Sequence, residues 1–520
     1  MPLRVVWSED VPAAAHNVRI YLTAVVVAFA AVLFGYDSSY IGTTITQPSF
    51  KSDFGLDKLS TSQKDLVSSN IISTFQAGCF FGALFGYPIM EKFGRKIALL
   101  VAEVVFIIGA LFQICATTQL GLIYAGRALV GLGVGTITAA APIFLAEVSP
   151  STIRGRLIGF YEIGYQIGAV VGFWINYGIE NNMNTHTAKA WRIPMAVQLI
   201  PAGLLLIGCL FICESPRYLL KVGKTEQAIK NLSYLRMLPP DDDYLVQEVD
   251  GVRKQIEREK GVVSGSGFFG YVKGIYSEVS QKGIRNRMAV GFCMMMFQNM
   301  VGTNSINYYS PTIFKAIGIS NVNLYTGIYG VIKAAASVVF LLFLVDTWGR
   351  RQPLIVGGIA CAICMYYIGA YIKIADPTAQ TTLSSSTVAG GKAATAAIML
   401  FGWFFCLGWN GLAWIICAEI YPIRIRSFCA AYTACCQWLF QFIIARTTDN
   451  MVSSMGYGMF LFFGSFSILS VVFAFFFVPE TKGLRLEDID RVFGYHDPES
   501  SQPDNEVDVY NAPKEKADMV

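Results

Sequence analysis

The sequence predicts an all-α polytopic membrane protein of twelve transmembrane helices, arranged as two six-helix halves around a cytosolic helical linker. Three observations lead there. The 520 residues are 54% hydrophobic and only 15% charged, with a mean hydropathy of +0.48; soluble chains carry about 25% charge. The apolar residues gather in blocks of the length a bilayer requires, about 20 residues each. Three short motifs of the first half recur in order in the second. The net charge of +4 says little by itself, and nothing points to nucleic acid.

The predicted spans are 19–42, 66–90, 97–117, 120–145, 157–179, 193–213, 286–309, 322–345, 353–374, 394–418, 427–447 and 457–478. The first ends in "FGYDSSYIG" (34–42), where Asp37 is the only charge. A carboxylate in such a run costs ~2.5–3.5 kcal/mol on insertion scales, so it needs a partner or a task. No small-residue cleavage pattern precedes this span, so it is expected to stay. The stretch 214–285 holds "KTEQAIKNLSYLRML" and "DDDYLVQEVDGVRKQIEREK", which read as short amphipathic helices. The expected divisions are therefore 1–18, 19–213, 214–285, 286–478 and 479–520, with disorder from about residue 496.

Lys and Arg concentrate in "EKFGRK", "RGR", "DTWGRRQ" and "RIR". In the opposite set Lys315, Lys373, Lys392 and Arg446 stand as isolated charges. The first set is predicted to be cytosolic, which puts both termini inside, with a plasma-membrane location expected. The sequon at Asn231 then falls in the cytosolic linker and is unused. The twelve cysteines lie in or beside apolar blocks, and the only histidines are His16, His186 and His496. A structural zinc site needs four ligands in paired groups. The cysteines, the Cys361/Cys364 pair included, read as packing residues, and no metal or cofactor is expected.

The repeat pairs "EKFGRK" with "DTWGRR", "EVSPSTIRGR" with "EIYPIRIRS", and "ESPR" with "PETKG". Parallel repeats of this kind imply a central site between two rocking halves. The motifs set acids beside bases where helices meet the cytosol: Glu91, Arg95, Glu147, Arg154, Asp346, Arg350, Arg351, Glu419 and Arg426. They read as a two-state gate; the plainer alternative is a topology signal touching lipid headgroups.

Taken together with "GRALVGLGVG" and "ESPRYLL", these motifs resemble the sugar porter branch of the major facilitator superfamily, from about Tyr21 to Phe493. "GYDSSYIGTTI", "YEIGYQIGAVVGFWINYGI", "AVQLIPAGLLLIG" and "NSINYYSPTIFKAIG" are most similar to fungal quinate permeases, with galacturonate carriers close behind. The resemblance implies a sugar-sized site near the midplane. It points to Glu162 and Gln166 in the fifth span, and to Gln298, Asn299 and Asn304 in the seventh. It also points to Trp414 in the tenth and to Gln437, Trp438 and Gln441 in the eleventh. Amides present donors and an acceptor to neighbouring hydroxyls, and Trp a flat apolar face; the alternative is that each amide only ties helices together.

Lys333 lies 13 residues before Asp346, about 20 Å along a helix, deep in the membrane. A buried cation needs a partner: a substrate carboxylate, Glu162, or carbonyls. Glu162, where the family pattern has Gln, is either a protonated donor or a share in proton coupling; ionised, it would repel an acid. Asp37 and Arg127 match the pattern that the resemblance associates with proton-coupled sugar porters, an Asp in the first span and an Arg in the fourth. Ionised Asp37 would pair with Arg127, and protonation would release it; a static salt bridge is the alternative. The expected activity is proton symport of a polyhydroxylated monocarboxylate, quinate or a uronic acid, by a protein that works as a monomer in membrane lipid. A proton-coupled carrier of neutral hexose, pentose or polyol stays open, as does a non-transporting sugar sensor. No phosphate-binding Gly loop and no histidine base in a span speak for an enzyme.

Overall fold

The computed structural model describes residues 12, 14, 17–150, 153–260, 268–319, 321–344, 347–376, 385–421 and 425–482. The expected tail disorder lies outside them. Among these residues the regular structure is entirely helical. The first half holds α1 (Val18–Thr44), α2 (Thr61–Phe93), α3 (Arg95–Cys115), α4 (Leu120–Val148), α5 (Arg154–Asn182) and α6 (Lys189–Phe211). The second holds α7 in two pieces, α7a (Lys282–Met300) and α7b (Thr303–Ala316). It continues with α8 (Val322–Leu344), α9 (Arg351–Ala375), α10 (Ser385–Ile420), α11 (Arg426–Met455) and α12 (Gly458–Phe477).

Local chemistry explains the starts and breaks. Asn17 caps α1 by accepting from the Arg19 and Ile20 amides. Ser60 and Gln63 form a capping box at α2. Gly302, at φ 102°, breaks the seventh helix, where the sequence predicts one continuous span. α8 and α10 carry π-turns at Phe340–Leu344 and Cys406–Asn410, irregularities frequent at functional sites. α2 runs five residues earlier than expected and α10 nine. Ten of the helices are apolar enough to qualify as spans on composition; polar-studded α2 and broken α7 are not among them.

Packing within the first half depends on glycine. A Cβ on Gly35 would sit 2.0 Å from the Tyr165 carbonyl oxygen, and one on Gly168 2.1 Å from that of Val32. Only glycine lets α1 and α5 approach so closely. The halves meet along α2 with α11, α5 with α8, and α1 with α7b. Large apolar side chains such as Phe211 and Phe476 remain on the outside, as a lipid-facing belt requires.

Between the halves come helices Pro216–Lys221, Thr225–Arg236, Asp243–Lys260 and Phe268–Ser280. Pro216–Lys221 and Thr225–Arg236 dock on the first half, Asp243–Lys260 packs against those two, and Phe268–Ser280 packs on α7a of the second half. Arg236 donates to the Val148 carbonyl at 2.8 Å and pairs with Glu248 at 2.6 Å. Asn17 donates to the Leu235 carbonyl at 2.8 Å. This end of the bundle is the linker side.

Candidate functional site

Three arrangements of polar side chains stand out in the bundle. The first is an ion pair sealed from solvent. Asp37 on α1 and Arg127 on α4 are both 0% exposed, with Nη1 and Oδ1 2.5 Å apart. Arg127 Nε donates to the Ile71 carbonyl at 3.3 Å, and its guanidinium lies 4.5 Å from the centre of the Phe75 ring. One oxygen of the acid and one nitrogen of the base, Oδ2 and Nη2, have no hydrogen-bond partner among the described residues. Removing one member of such a pair leaves an uncompensated charge in a low dielectric.

The second is a chain of amides between the halves. Gln298 on α7a donates to the carbonyls of Asn410 (2.6 Å) and Trp409 (3.1 Å) on the α10 π-turn. The Asn410 amide donates to Glu162 Oε1 on α5 at 2.7 Å. Gln166 Nε2 donates to the same oxygen at 3.0 Å and to Ser337 Oγ on α8 at 2.9 Å. A second chain runs within the C-terminal half. Asn299 donates to Gln437 at 2.8 Å, Asn304 to Asn299 at 2.6 Å, and Gln441 to Asn304 at 3.4 Å. Trp438 packs edge-on against Phe34 and Phe75 and donates to Thr138 at 3.4 Å, so α11 reaches into the first half. Lys333 is buried; its ammonium donates to Asn307 Oδ1 at 3.0 Å and lies 5.5 Å from the centre of the Tyr329 ring.

Glu162, Gln166, Gln298, Asn299, Asn304, Gln437 and Gln441 thus fall in these chains, and Trp438 lies beside them against Phe34, Phe75 and Thr138. Trp414 stands apart. It is 37% exposed, beyond the π-turn, and Trp409 is the buried indole, donating to the Leu354 carbonyl at 3.0 Å. Lys333 takes Asn307 as its hydrogen-bond partner and not Glu162, whose Oε1 accepts from Asn410 and Gln166. Asn307, Ser337 and Asn410 join the site without having been singled out from sequence. Asn307 was visible as an amide in "NSINYY"; the π-turn that aims Asn410 leaves no sequence signal.

The third arrangement lies on the linker side and occurs twice. Arg95 pairs with Glu147 at 2.9 Å and with Glu91 at 3.3 Å. Ser215 donates to the other Glu147 oxygen at 2.5 Å, and Glu214 accepts from the Arg95 and Lys96 amides at the start of α3. In the second half Arg350 pairs with Glu419 at 2.9 Å. Thr481 donates to Glu419 at 2.5 Å, and Glu480 accepts from the Arg350 and Arg351 amides at the start of α9. These contacts each stay inside one half or its adjoining segment. Arg351 departs from its expected place: its side chain stacks on Phe475 and donates to that carbonyl, because Arg350 already occupies Glu419. Asp346 and the side chains of Arg154 and Arg426 lie outside the described residues.

The two equivalent acids differ electrostatically. Burial raises the Glu214 carboxyl above its ordinary value, although the amides of Ser215, Lys96 and Arg95 pull the other way. Burial also works to raise Glu480. There the amides of Arg351, Arg350 and Lys482, with the Arg350 charge, outweigh it and hold the acid below its ordinary value.

A twelve-helix fold with a buried, amide-lined interface between two repeated halves defines a membrane transporter, and the comparisons agree. Residues 23–493 match the family described as Sugar (and other) transporter, and the chain belongs to that family. A probable quinate permease of Aspergillus niger is 45% identical over 496 residues, spanning 94% of this chain and 91% of the relative. A quinate permease of Emericella nidulans is 44% identical, with 94% and 91% covered. The proton:xylose symporter XylE bound to 6-bromo-6-deoxy-D-glucose has a TM-score of 0.73 at 26% identity, covering 91% of this chain and 99% of that one. XylE from E. coli in a partially occluded inward-open conformation has a TM-score of 0.74 at 25% identity, covering 90% and 100%. The protein is a sugar-porter-type transporter of the major facilitator fold, and these relatives are transporters, not enzymes.

Proposed function

We propose that the protein imports a polyhydroxylated monocarboxylate, quinate or a uronic acid such as galacturonate, by proton symport with alternating access. The carrying observation is the sealed Asp37–Arg127 pair. A carboxylate in that setting has two natural states, ionised against the guanidinium or protonated and released from it, and each state favours a different packing of α1 on α4. Lys333, in the interface among amides, is the cation that a substrate carboxylate would meet. The amides of Gln166, Gln298, Asn304 and Gln441 suit ring hydroxyls. The relatives named quinate permeases support the acid substrate.

A neutral hexose, pentose or polyol is the second reading, favoured by Glu162: when ionised, it sets a negative charge in the same chain of amides. In either reading the linker side is cytosolic, the protein resides in the plasma membrane as a monomer, and the Arg95–Glu147 and Arg350–Glu419 networks work as the cytosolic gate. Uptake of labelled quinate, galacturonate, glucose and xylose in a transport-deficient cell, at several external pH values, tests both. Quinate or galacturonate uptake that rises as external pH falls is the expected result. Saturable uptake of only glucose or xylose replaces the acid reading, and pH-independent uptake removes the symport.

A further inference from the structure

Asn307 and Tyr308 are consecutive in α7b, so their side chains leave the helix about 100° apart. Asn307 turns into the second half and accepts the hydrogen bond of Lys333. Tyr308, 1% exposed, turns the other way. Its hydroxyl lies beside Gln76 of α2 and Ser38 of α1, within electrostatic reach of Arg127. Its backbone is pressed on α1: a Cβ at Gly42 would lie 2.0 Å from the Tyr308 carbonyl oxygen. One dipeptide therefore touches both the lysine among the amides and the surroundings of the buried ion pair.

Those surroundings are unusual. Tyr308 Oη, Ser38 Oγ, both amide atoms of Gln76, Asp37 Oδ2 and Arg127 Nη2 are all buried without hydrogen-bond partners among the described residues. Buried polar atoms are ordinarily paired. The charged and titratable groups around Asp37 are Arg127 of α4, Cys79 of α2, and Tyr36 and Tyr40 of α1 itself. Around Tyr308 they are Arg127, Cys79, Tyr165 of α5 and the adjacent Tyr309. An ionised Asp37 only accepts hydrogen bonds, whereas a protonated one also donates. Hydroxyls and an amide serve either state, because they donate and accept alike. The segment is also irregular. α7b begins at Gly302 with positive φ, departs from helical geometry at Tyr309 (φ −119°, ψ 21°) and contains Pro311.

We propose that the Asn307–Tyr308 dipeptide couples the substrate site to the proton site, with Tyr308 as the positioning residue through which the C-terminal half senses the Asp37–Arg127 pair. The proposal rests on the proton-symport reading above. When a bound substrate, through a carboxylate or a ring hydroxyl, draws the Lys333 ammonium away, Asn307 loses its partner and α7b is released to turn. The same turn shifts Tyr308 against Gln76 and Ser38. No bond other than hydrogen bonds changes, and the proton exchanges only with the Asp37 carboxyl.

The test uses the full-length protein in proteoliposomes, with whichever of quinate, galacturonate, glucose or xylose the wild type accumulates. Tyr308→Phe removes one unpaired hydroxyl and keeps the ring. Gln76→Leu removes its neighbour from the other half and serves should the first variant fail to fold. For each, the ratio of accumulation under an imposed proton gradient to counterflow exchange is expected to fall at least about fivefold, the scale of a typical coupling energy. The pH dependence of KM flattens with it. A ratio and pH profile equal to wild type in both variants overturns the role of the dipeptide alone. A wild type that moves substrate with no accompanying proton overturns the symport reading, and the two failures are distinct.

Discussion

The Asn410 amide reaches from the second half to Glu162 in the first and donates to Oε1 at 2.7 Å. Because Gln298 holds the Asn410 carbonyl and Gln166 holds the same Glu162 oxygen, a single side chain closes a path from α7 to α8 through both halves. Glu162→Gln keeps an oxygen at that place and is expected to leave thermal stability in detergent within about 0.5 kcal/mol of wild type. Glu162→Ala strands two buried amides and should lose about 1–3 kcal/mol. Melting of purified variants checks this; equal melting of Gln and Ala forms would mean that the tie does not hold the halves.

Asp37→Asn leaves Arg127 charged, buried and paired only with a neutral amide. The expected loss is about 3 kcal/mol, read as a lower melting temperature. In transport, the variant should still exchange substrate down a gradient but fail to accumulate it. Undiminished accumulation driven by low external pH in this variant would refute Asp37 as the proton carrier.

How much of this was legible without coordinates depended on the kind of signal. Charge scarcity and block length give twelve spans, and the repeated motifs gather Arg95, Glu147, Arg350 and Glu419 at helix ends without saying which acid meets which base; the structure pairs Arg95 with Glu147 and Arg350 with Glu419. The break at Gly302 and the π-turn ending at Asn410 were not legible. Both are set by tertiary packing: glycine tolerates positive φ but does not require it, and a π-turn has no composition of its own. Trp414 stands apart from the amide chains, 37% exposed one turn beyond the π-turn, and the rotation that the π-turn introduces has no sequence signal. Of the two adjacent arginines Arg350 pairs with Glu419 and Arg351 stacks on Phe475, a division that sequence position alone does not make.

The equivalent acids Glu214 and Glu480 should give pH effects of opposite sign. Glu480 is held below its ordinary value, so its contribution is present above the unfolded carboxylate value and lost as pH falls through the folded one. Glu480→Gln should therefore destabilise at neutral pH and cost progressively less below about pH 4. Glu214 is raised, so its native site favours the protonated form. That contribution is full below the unfolded value and disappears as pH rises through the folded one. Glu214→Gln should be tolerated at neutral pH. Melting curves between acid and neutral pH decide, and parallel shifts for the two variants would contradict the assignment.

Gly42 permits the contact of α1 with α7b. Alanine there would place Cβ 2.0 Å from the Tyr308 carbonyl oxygen, a backbone atom that cannot swing aside. Gly42→Ala should hold the end opposite the linker apart and slow turnover. Cysteine labelling from that side, at an α7b position introduced by mutation, should become faster. Unchanged labelling together with normal turnover would mean that this contact is not a moving part.

Lys333 discriminates between the two substrate readings, because its hydrogen-bond partner among the described residues, Asn307, is neutral. An amide oxygen satisfies an ammonium's geometry but does not neutralise its charge, so Asn307 leaves the Lys333 charge available to a carboxylate in the same interface. Lys333→Gln retains a donor of shorter reach and removes the charge. For an acid substrate the loss of a charged hydrogen bond is about 1.5–3 kcal/mol, which raises KM for quinate or galacturonate by roughly ten- to a hundredfold. A neutral sugar has no group that needs the charge, and its KM should move less than about threefold. Competition of glucose, xylose, quinate and galacturonate for one labelled substrate, in wild type and Lys333→Gln side by side, reads the difference directly. An equal loss for acids and neutral sugars would show that Lys333 serves the fold of α8 and not the recognition of charge.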